Sequence, residues 1–227
     1  MAWAFVQATA VASGSGSATT VALAYTSNVV AAHLLVAYVT YQDTAQTVTA
    51  TCADSLGQTW SAAIGPTRNS GLGGGWTQYI FYFANTVAGA DTVTVTFSAS
   101  VAFRRLDILE YSGIATTTPL DVTSGAIGSG ASTKSSGSAT TTQNNDLIFG
   151  GGITDAGDIA AGATFTSRAS SDSFERSEDK NGAVAGSFDA NFTGANAQWI
   201  VQMATFKEPS VKSKPRLQPR WRFVRRR

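Results

Sequence analysis

Acid–base chemistry near neutral pH needs a group that titrates there, and this chain offers one histidine, His33, and one cysteine, Cys52. A Ser-His-Asp relay would have to run through His33, which immediately precedes the apolar run Leu34 to Tyr41 and reads as a strand-edge residue. Cys52 by itself can form neither an intrachain disulfide nor a Cys-based zinc cage, and it reads as a small packed or edge hydrophobe. The sequence contains no G-x-S-x-G, no G-x-x-x-x-G-K-S/T and no G-x-G-x-x-G leading from strand to helix. Gly150 to Gly152 follows a strand-like run but precedes no helical pattern, so it is not read as a phosphate cradle. No catalytic residue, no bound metal and no cofactor is expected.

The carboxylates point the same way. Asp107 and Glu110 lie three apart in one strand-like run, which turns them to opposite faces and keeps them from converging as an acid/base couple. Glu110 shares its face with Leu106 and Ile108. A carboxylate buried there needs a partner, and Arg104, on the same face, is the nearest basic candidate. Glu110 is therefore read as a fold-fixing acceptor. Asp155 and Asp158, and the run Asp172, Glu175, Glu178 and Asp179, read as loop acids of the kind that ligate Ca²⁺. Neither matches the spaced D-x-D-x-D-G…E loop, and Arg176 and Lys180 supply salt-bridge partners to the second. Plain charged loops are the expectation.

Two further sets of residues could recognise a partner. Sugar sites combine exposed aromatic planes with amide and carboxylate groups, and Trp60, Trp76, Tyr79 and Tyr82 with Asn69, Gln78 and Asp54 have that chemistry. Trp60 and Trp76 are the aromatics that could face a ligand. Against this, Tyr79, Phe81 and Phe83 alternate with Ile80 and Tyr82, so at least one of those faces is core.

The second set is the C-terminus. Residues 207–227 hold nine of the sixteen Lys and Arg and one acid, a net of +8, whereas residues 1–206 hold seven basic and fourteen acidic groups, a net of −7. Pro209, Pro215 and Pro219 prevent a long helix and favour an extended arm, and twenty residues at about 3.3 Å each reach about 65 Å. Within it Trp221 and Phe223 interleave with Arg216, Arg220, Arg222, Arg225, Arg226 and Arg227, the pattern of an arm that docks on protein. Nucleic acid ranks lower as its partner, because a body at −7 would repel the same polyanion.

The elements that would carry these residues are short and β-rich. Leu34 to Tyr41, Thr47 to Cys52, Tyr79 to Phe83, Thr92 to Phe97, Leu106 to Tyr111, Leu147 to Phe149 and Trp199 to Phe206 read as strands separated by Gly, Ser, Asn and Asp turns. Ser124 to Thr142 is nearly all Ser, Gly, Thr and Ala and reads as a long loop leading into an edge strand. With 227 residues, 43% apolar and only 14% charged against about 25% in an average domain, the chain has ample core for one large β domain. No run approaches eighteen apolar residues, so no membrane partner is expected. Ala2 to Ala12 is mildly apolar but follows no Lys or Arg, and a cleaved signal is not expected. The fold expected is all-β, a two-sheet antiparallel sandwich.

Seven blocks in this order, LLVAYVTY (34–41), DSLGQTW (54–60), IFYFAN (80–85), TVTVTF (92–97), EYSG with PLD (110–113 and 119–121), DLIF (146–149) and WIVQMATFK (199–207), resemble a β-sandwich domain family of tailed-phage virion proteins and secreted bacterial proteins. The resemblance spans roughly residues 1–207 and implies a jelly-roll-like sandwich with a structural or adhesive role and no catalytic residues to carry across. It leaves the basic tail outside. The resulting expectation is a sandwich domain over 1–207 and an extended basic arm over 208–227. The protein would be a non-enzymatic virion structural protein, a capsid-decoration or head-fibre-type subunit made in the host cytoplasm. Its partners would be other virion proteins and copies of itself. The alternative is a carbohydrate-binding or adhesion module for host attachment, secreted in that case.

Overall fold

The structure, a computed structural model, describes residues 2–210. Regular structure among them is entirely β, in fifteen strands. In chain order these are β1 (Ala4–Ala12), β2 (Ala18–Ala24), β3 (Leu34–Gln42), β4 (Ala50–Asp54), β5 (Ser61–Asn69), β6 (Trp76–Ala84), β7 (Thr92–Ser112) and β8 (Leu120–Ser135). They continue with β9 (Ala139–Thr140), β10 (Asp146–Thr154), β11 (Ala160–Ala161), β12 (Thr166–Ala169), β13 (Glu175–Gly182), β14 (Ser187–Phe188) and β15 (Asn191–Phe206).

The expected runs Thr92 to Phe97 and Leu106 to Tyr111 are two ends of one 21-residue strand, β7. Its first half pairs with β2 and β4, from Val93↔Leu23 to Val101↔Ala18. Its second half, from Ala102 to Ser112, enters a five-stranded sheet of order β1-β7-β3-β6-β5. A strand that changes sheets must bend, and the bend sits at Phe103, whose φ of 47° is a left-handed conformation that costs a bulky residue about 1 kcal/mol. The two sheets close as an antiparallel sandwich. Leu35, Ala37, Val39, Leu106 and Ile108 of the five-stranded sheet meet Val21, Val93, Val95 and Phe97 of the smaller one.

A third sheet, of order β8-β15-β10-β13-β12 with β11 beside the first half of β15, covers the far face of the five-stranded sheet. Val36, Tyr38, Ile80, Leu109 and Tyr111 meet Leu147, Phe149, Ala204 and Phe206 there. β3 is buried on both faces, which is why it reads as an unbroken apolar run. Both alternating faces of β6 are core as well, with Tyr79 and Phe81 on one side and Ile80 on the other. Beyond the third sheet the short pair β9/β14 caps a further apolar cluster around Ile148, Phe192, Val201 and Met203.

Three segments differ from expectation, among them Glu175 to Gly182, which is the strand β13 rather than a charged loop. Ser124 to Ser135 is not loop but most of β8, paired with β15 from Leu120↔Phe206 to Ser135↔Asn191. Backbone hydrogen bonds hold a strand whatever its side chains, and the long β15 pairs with most of this Ser/Gly/Thr sequence, with three register shifts along the way. Gly150 to Gly152 lies inside β10 rather than after a strand. A Cβ on Gly151 would stand 2.5 Å from the Tyr38 ring, and one on Gly152 would stand 2.8 Å from Phe192. The triplet lets β10 pack closely between two layers.

Candidate functional site

The strands of the first and third sheets run in alignment, and this gives the body two poles. The pairings Leu34↔Tyr111 and Leu147↔Phe206 lie at one, Gln42↔Trp76 and Thr154↔Trp199 at the other. Both ends of the body meet at the first pole. β15 ends at Phe206; Lys207 then bonds through its backbone to Pro119 and Ala115, each at 2.8 Å. Glu208 accepts the Trp3 backbone N–H on Oε1 at 3.0 Å, and its carbonyl accepts from Gln143 Nε2 at 3.2 Å. A cleft of about 340 Å³ opens here between Thr116–Thr118, Gln143 and Lys207–Ser210. The residues expected to dock, Arg216, Arg220, Trp221, Arg222, Phe223, Arg225, Arg226 and Arg227, lie outside the described residues.

The opposite pole carries a groove of about 310 Å³ lined by Gln42, Gly73, Trp76, Phe103, Arg105, Thr154, Asp155 and Phe174. Most come from the end of an element or a bend: β3 ends at Gln42, β6 starts at Trp76, β10 ends at Thr154, and Phe103 is the corner of β7, with Arg105 two residues further along that strand. The Arg105 guanidinium lies 4.6 Å over the Trp76 ring and 5.7 Å from the centre of Phe174, and its Nε donates to Asp172 at 2.6 Å. Trp76 is thus part of the groove wall, packed beneath Arg105 and beside Phe103. Trp60, by contrast, belongs to the core of the sandwich and donates its Nε1–H to Asp54 at 2.7 Å. The two aromatics expected to face a ligand are each 8% exposed: Trp60 is closed off by its neighbours in the sandwich, and Trp76 lines the groove with its face covered by Arg105.

Between the first and third sheets lies a layer of buried polar groups that sequence reasoning treated as loop charge. Glu175, Ser177 and Asp179 lie on β13 and face the five-stranded sheet. Ser177 donates to Asp107 at 2.8 Å, and Tyr111 donates to Asp179 at 2.8 Å. Arg168 grips Asp179 with two bonds of 2.7 and 2.9 Å. Gln78 Nε2 donates to the Gly151 carbonyl at 2.9 Å, and Gln202 Nε2 donates to the Gln78 carbonyl at 3.1 Å. Burial, and then the neighbouring Glu175, holds the Asp107 carboxyl well above the usual carboxylate range, while burial pushes Glu175 up to about 7. Neighbouring buried carboxyl groups disfavour each other's ionisation. Both are fully buried, so they are groups of the fold and offer nothing to a substrate.

Glu110 is buried as expected, but its partner is not Arg104. It accepts from Gln7 Nε2 at 2.6 Å and the Val30 N–H at 2.8 Å, and it stands 2.7 Å from His33 Nδ1. Six strand residues separate positions 104 and 110 by about 20 Å, too far for contact, and Arg104 instead donates to the Gly16 carbonyl at 2.8 Å. His33 is half-buried at the start of β3, as a strand-edge residue would be. Burial, reinforced by Asp54 and Asp91, raises the Cys52 thiol above its usual range.

The charge tally also looks different in three dimensions. Of the fourteen acids in residues 1–206, eight are buried: Asp43, Asp91, Asp107, Glu110, Asp146, Glu175, Glu178 and Asp179. The two in the open, Asp155 and Asp158, share the loop after β10 at the groove pole. Every described Lys and Arg is buried or half-buried. The net of −7 therefore describes mostly interior groups, not an acidic coat. Glu178, pushed up to about 8, and Asp146, pushed up to about 7, each mainly by burial, hold part of their protons at neutral pH and reduce the charge further.

Comparison of the chain with protein-family models, with curated proteins and with solved structures gave no match in any of the three.

Proposed function

We propose that the protein is a non-enzymatic structural protein of a tailed-phage virion, a capsid-decoration or head-fibre-type subunit whose basic C-terminal arm docks on neighbouring subunits or on the shell. The observation that carries this reading is that both ends of the body lie at one pole, tied together by the bond from Trp3 N–H to Glu208. A chain that leaves its body beside its own start can be fastened at that end while the opposite pole stands outward. The ordered blocks from LLVAYVTY to WIVQMATFK support the virion setting, and the +8 of residues 207–227 supports the arm as the fastening element.

The buried acids sharpen the docking partner. An acidic coat on a neighbouring copy is not what the arm would meet, because most of the acid is inside. Accessible acid on a copy of this body is concentrated at Asp155 and Asp158, and the rest of the partner surface would come from the shell.

The test is a chain ended after Ser210, a cut that keeps both Glu208 bonds. Mass by light scattering should show the full chain in assemblies and the shortened chain as a monomer, with the same thermal unfolding midpoint. A shortened chain that assembles as the full one does would remove the arm from the mechanism.

A further inference from the structure

The groove at the pole opposite Glu208 is walled by two buried polar side chains, Arg105 at 7% and Thr154 at 2% exposure. The Arg105 Nη1 and the Thr154 Oγ1 have no hydrogen-bond partner among the described residues, but both atoms are closed to solvent. The groups a ligand can reach are therefore those of the exposed wall and the rim. Around them the wall is aromatic. Phe174 is the exposed member at 38%, with Phe103 half-buried beside Trp76. Further polar atoms stand at the rim: the Gln42 amide, whose Nε2 contacts the Gly73 carbonyl at 3.3 Å, and the Asp155 carboxylate, which holds the Gln198 N–H on one oxygen and has no bond to the other among the described residues.

Charge decides among ligand classes. An anion would meet Asp155 and Asp172, and Arg105 is already neutralised by Asp172 at 2.6 Å. A basic peptide would find the Trp76 face covered by Arg105 itself, and its own guanidinium would be repelled there. An uncharged molecule with apolar faces and hydroxyls that both donate and accept fits both the wall and the rim. The volume lies at the small end of the roughly 300–1,000 Å³ typical of ligand sites, enough for one ring. Phe103, a bulky residue kept at positive φ in this wall, is a form of backbone strain that tends to occur at binding sites.

We propose that this groove binds one uncharged pyranose ring of a saccharide, stacked on Phe174 and hydrogen-bonded by Gln42 and Asp155. The site is a property of the body and stands whether or not the arm fastens it to a shell.

Saturation-transfer NMR on the full chain with glucose, galactose, mannose and N-acetylglucosamine tests it directly. At least one sugar should bind at millimolar concentration. Phe174→Ala, at an exposed position, and Gln42→Met, which removes the rim amide, should each weaken binding at least tenfold, while Val184→Ala in a remote loop should leave it unchanged. Absence of binding by all four sugars overturns the proposal, as does either groove variant binding like the parent. A synthetic peptide of residues 211–227 is the competing occupant. If it binds with the same dependence on Phe174 and the sugars do not, the groove is the seat of the arm and the saccharide reading falls.

Discussion

The five-stranded sheet is buried on both faces, yet the two interfaces are built differently. Toward the smaller sheet it offers Leu35, Ala37, Val39, Leu106 and Ile108, and receives Val93, Val95 and Phe97. The polar contacts there run mostly to backbone, such as the Tyr41 hydroxyl on the Val48 carbonyl at 2.8 Å and the Tyr25 hydroxyl on the Leu109 carbonyl at 3.1 Å. Toward the third sheet the same strands present Tyr38, Gln78, Asp107 and Tyr111 to Gly151, Ser177, Asp179 and Gln202. Asp107 Oδ1, Glu175 Oε2 and Gln202 Oε1 find no partner in that layer. Apolar contact is non-directional and supplies most of the stability, whereas hydrogen bonds across a buried layer fix how two sheets align and carry a desolvation cost. The first interface holds the molecule together; the second sets the relation of the two poles.

The largest expected effect is on the apolar side. Leu35→Ala, at a fully buried position, should lower the unfolding free energy by about 2–5 kcal/mol, read as a shift of the urea midpoint at constant slope. A shift below about 1 kcal/mol would mean that this face is not the main source of stability.

The polar side should show itself through pH. Asp107 and Glu175 bind protons more tightly folded than unfolded, because burial raises both above the ordinary carboxylate value. The folded state then holds more protons than the unfolded state between about pH 4.5 and 7, so stability falls as pH rises through that window, by up to about 1.4 kcal/mol per pH unit for each such group. Glu178 and Asp146 act in the same direction outside this layer. Asp107→Asn should flatten the slope measured between pH 5 and 8, while Leu35→Ala should displace the whole curve and leave its slope alone. Equal slopes in both variants would detach the pH dependence from the polar layer.

The smallest effect is Tyr111→Phe, which removes one of the donors to Asp179 and leaves the Arg168 fork in place. A loss of about 1 kcal/mol is expected by the same urea measurement. A loss as large as that of Leu35→Ala would make the polar layer a stability element rather than an alignment device.

How far these features could be read in advance depends on how local their causes are. The strands at 34–41, 79–83 and 199–206 are apolar enough to declare themselves. Part of the groove was visible in Trp76, but Arg105, Thr154 and Phe174 were not, because they meet across 98 positions of chain (Trp76 to Phe174) and carry no pattern of their own. β13, with the sequence ERSEDKNG, read as a charged loop. The signal available there was alternation: Glu175, Ser177 and Asp179 share one face, Ser177 and Asp179 with partners on the distant β7 and Glu175 with the nearby Ser171 N–H. Glu110 was legible as a buried acceptor from its neighbours Leu106 and Ile108, while its partners Gln7, Val30 and His33 were not, since they lie 77 to 103 positions away.

What the amino-acid order determined by itself is the all-β class, the dominant apolar runs and the separation of a basic terminal segment from the rest. These follow from alternation, β-branched content and charge counts within a few residues of one another. Tertiary structure alone decided that the acids turn inward, that a Ser/Gly run becomes a strand, and that Phe103, Arg105, Thr154 and Phe174 converge on one pole. The physical reason is that burial of a charge and pairing of a strand depend on partners supplied from elsewhere in the chain, and nothing in the local sequence states which partner will be there.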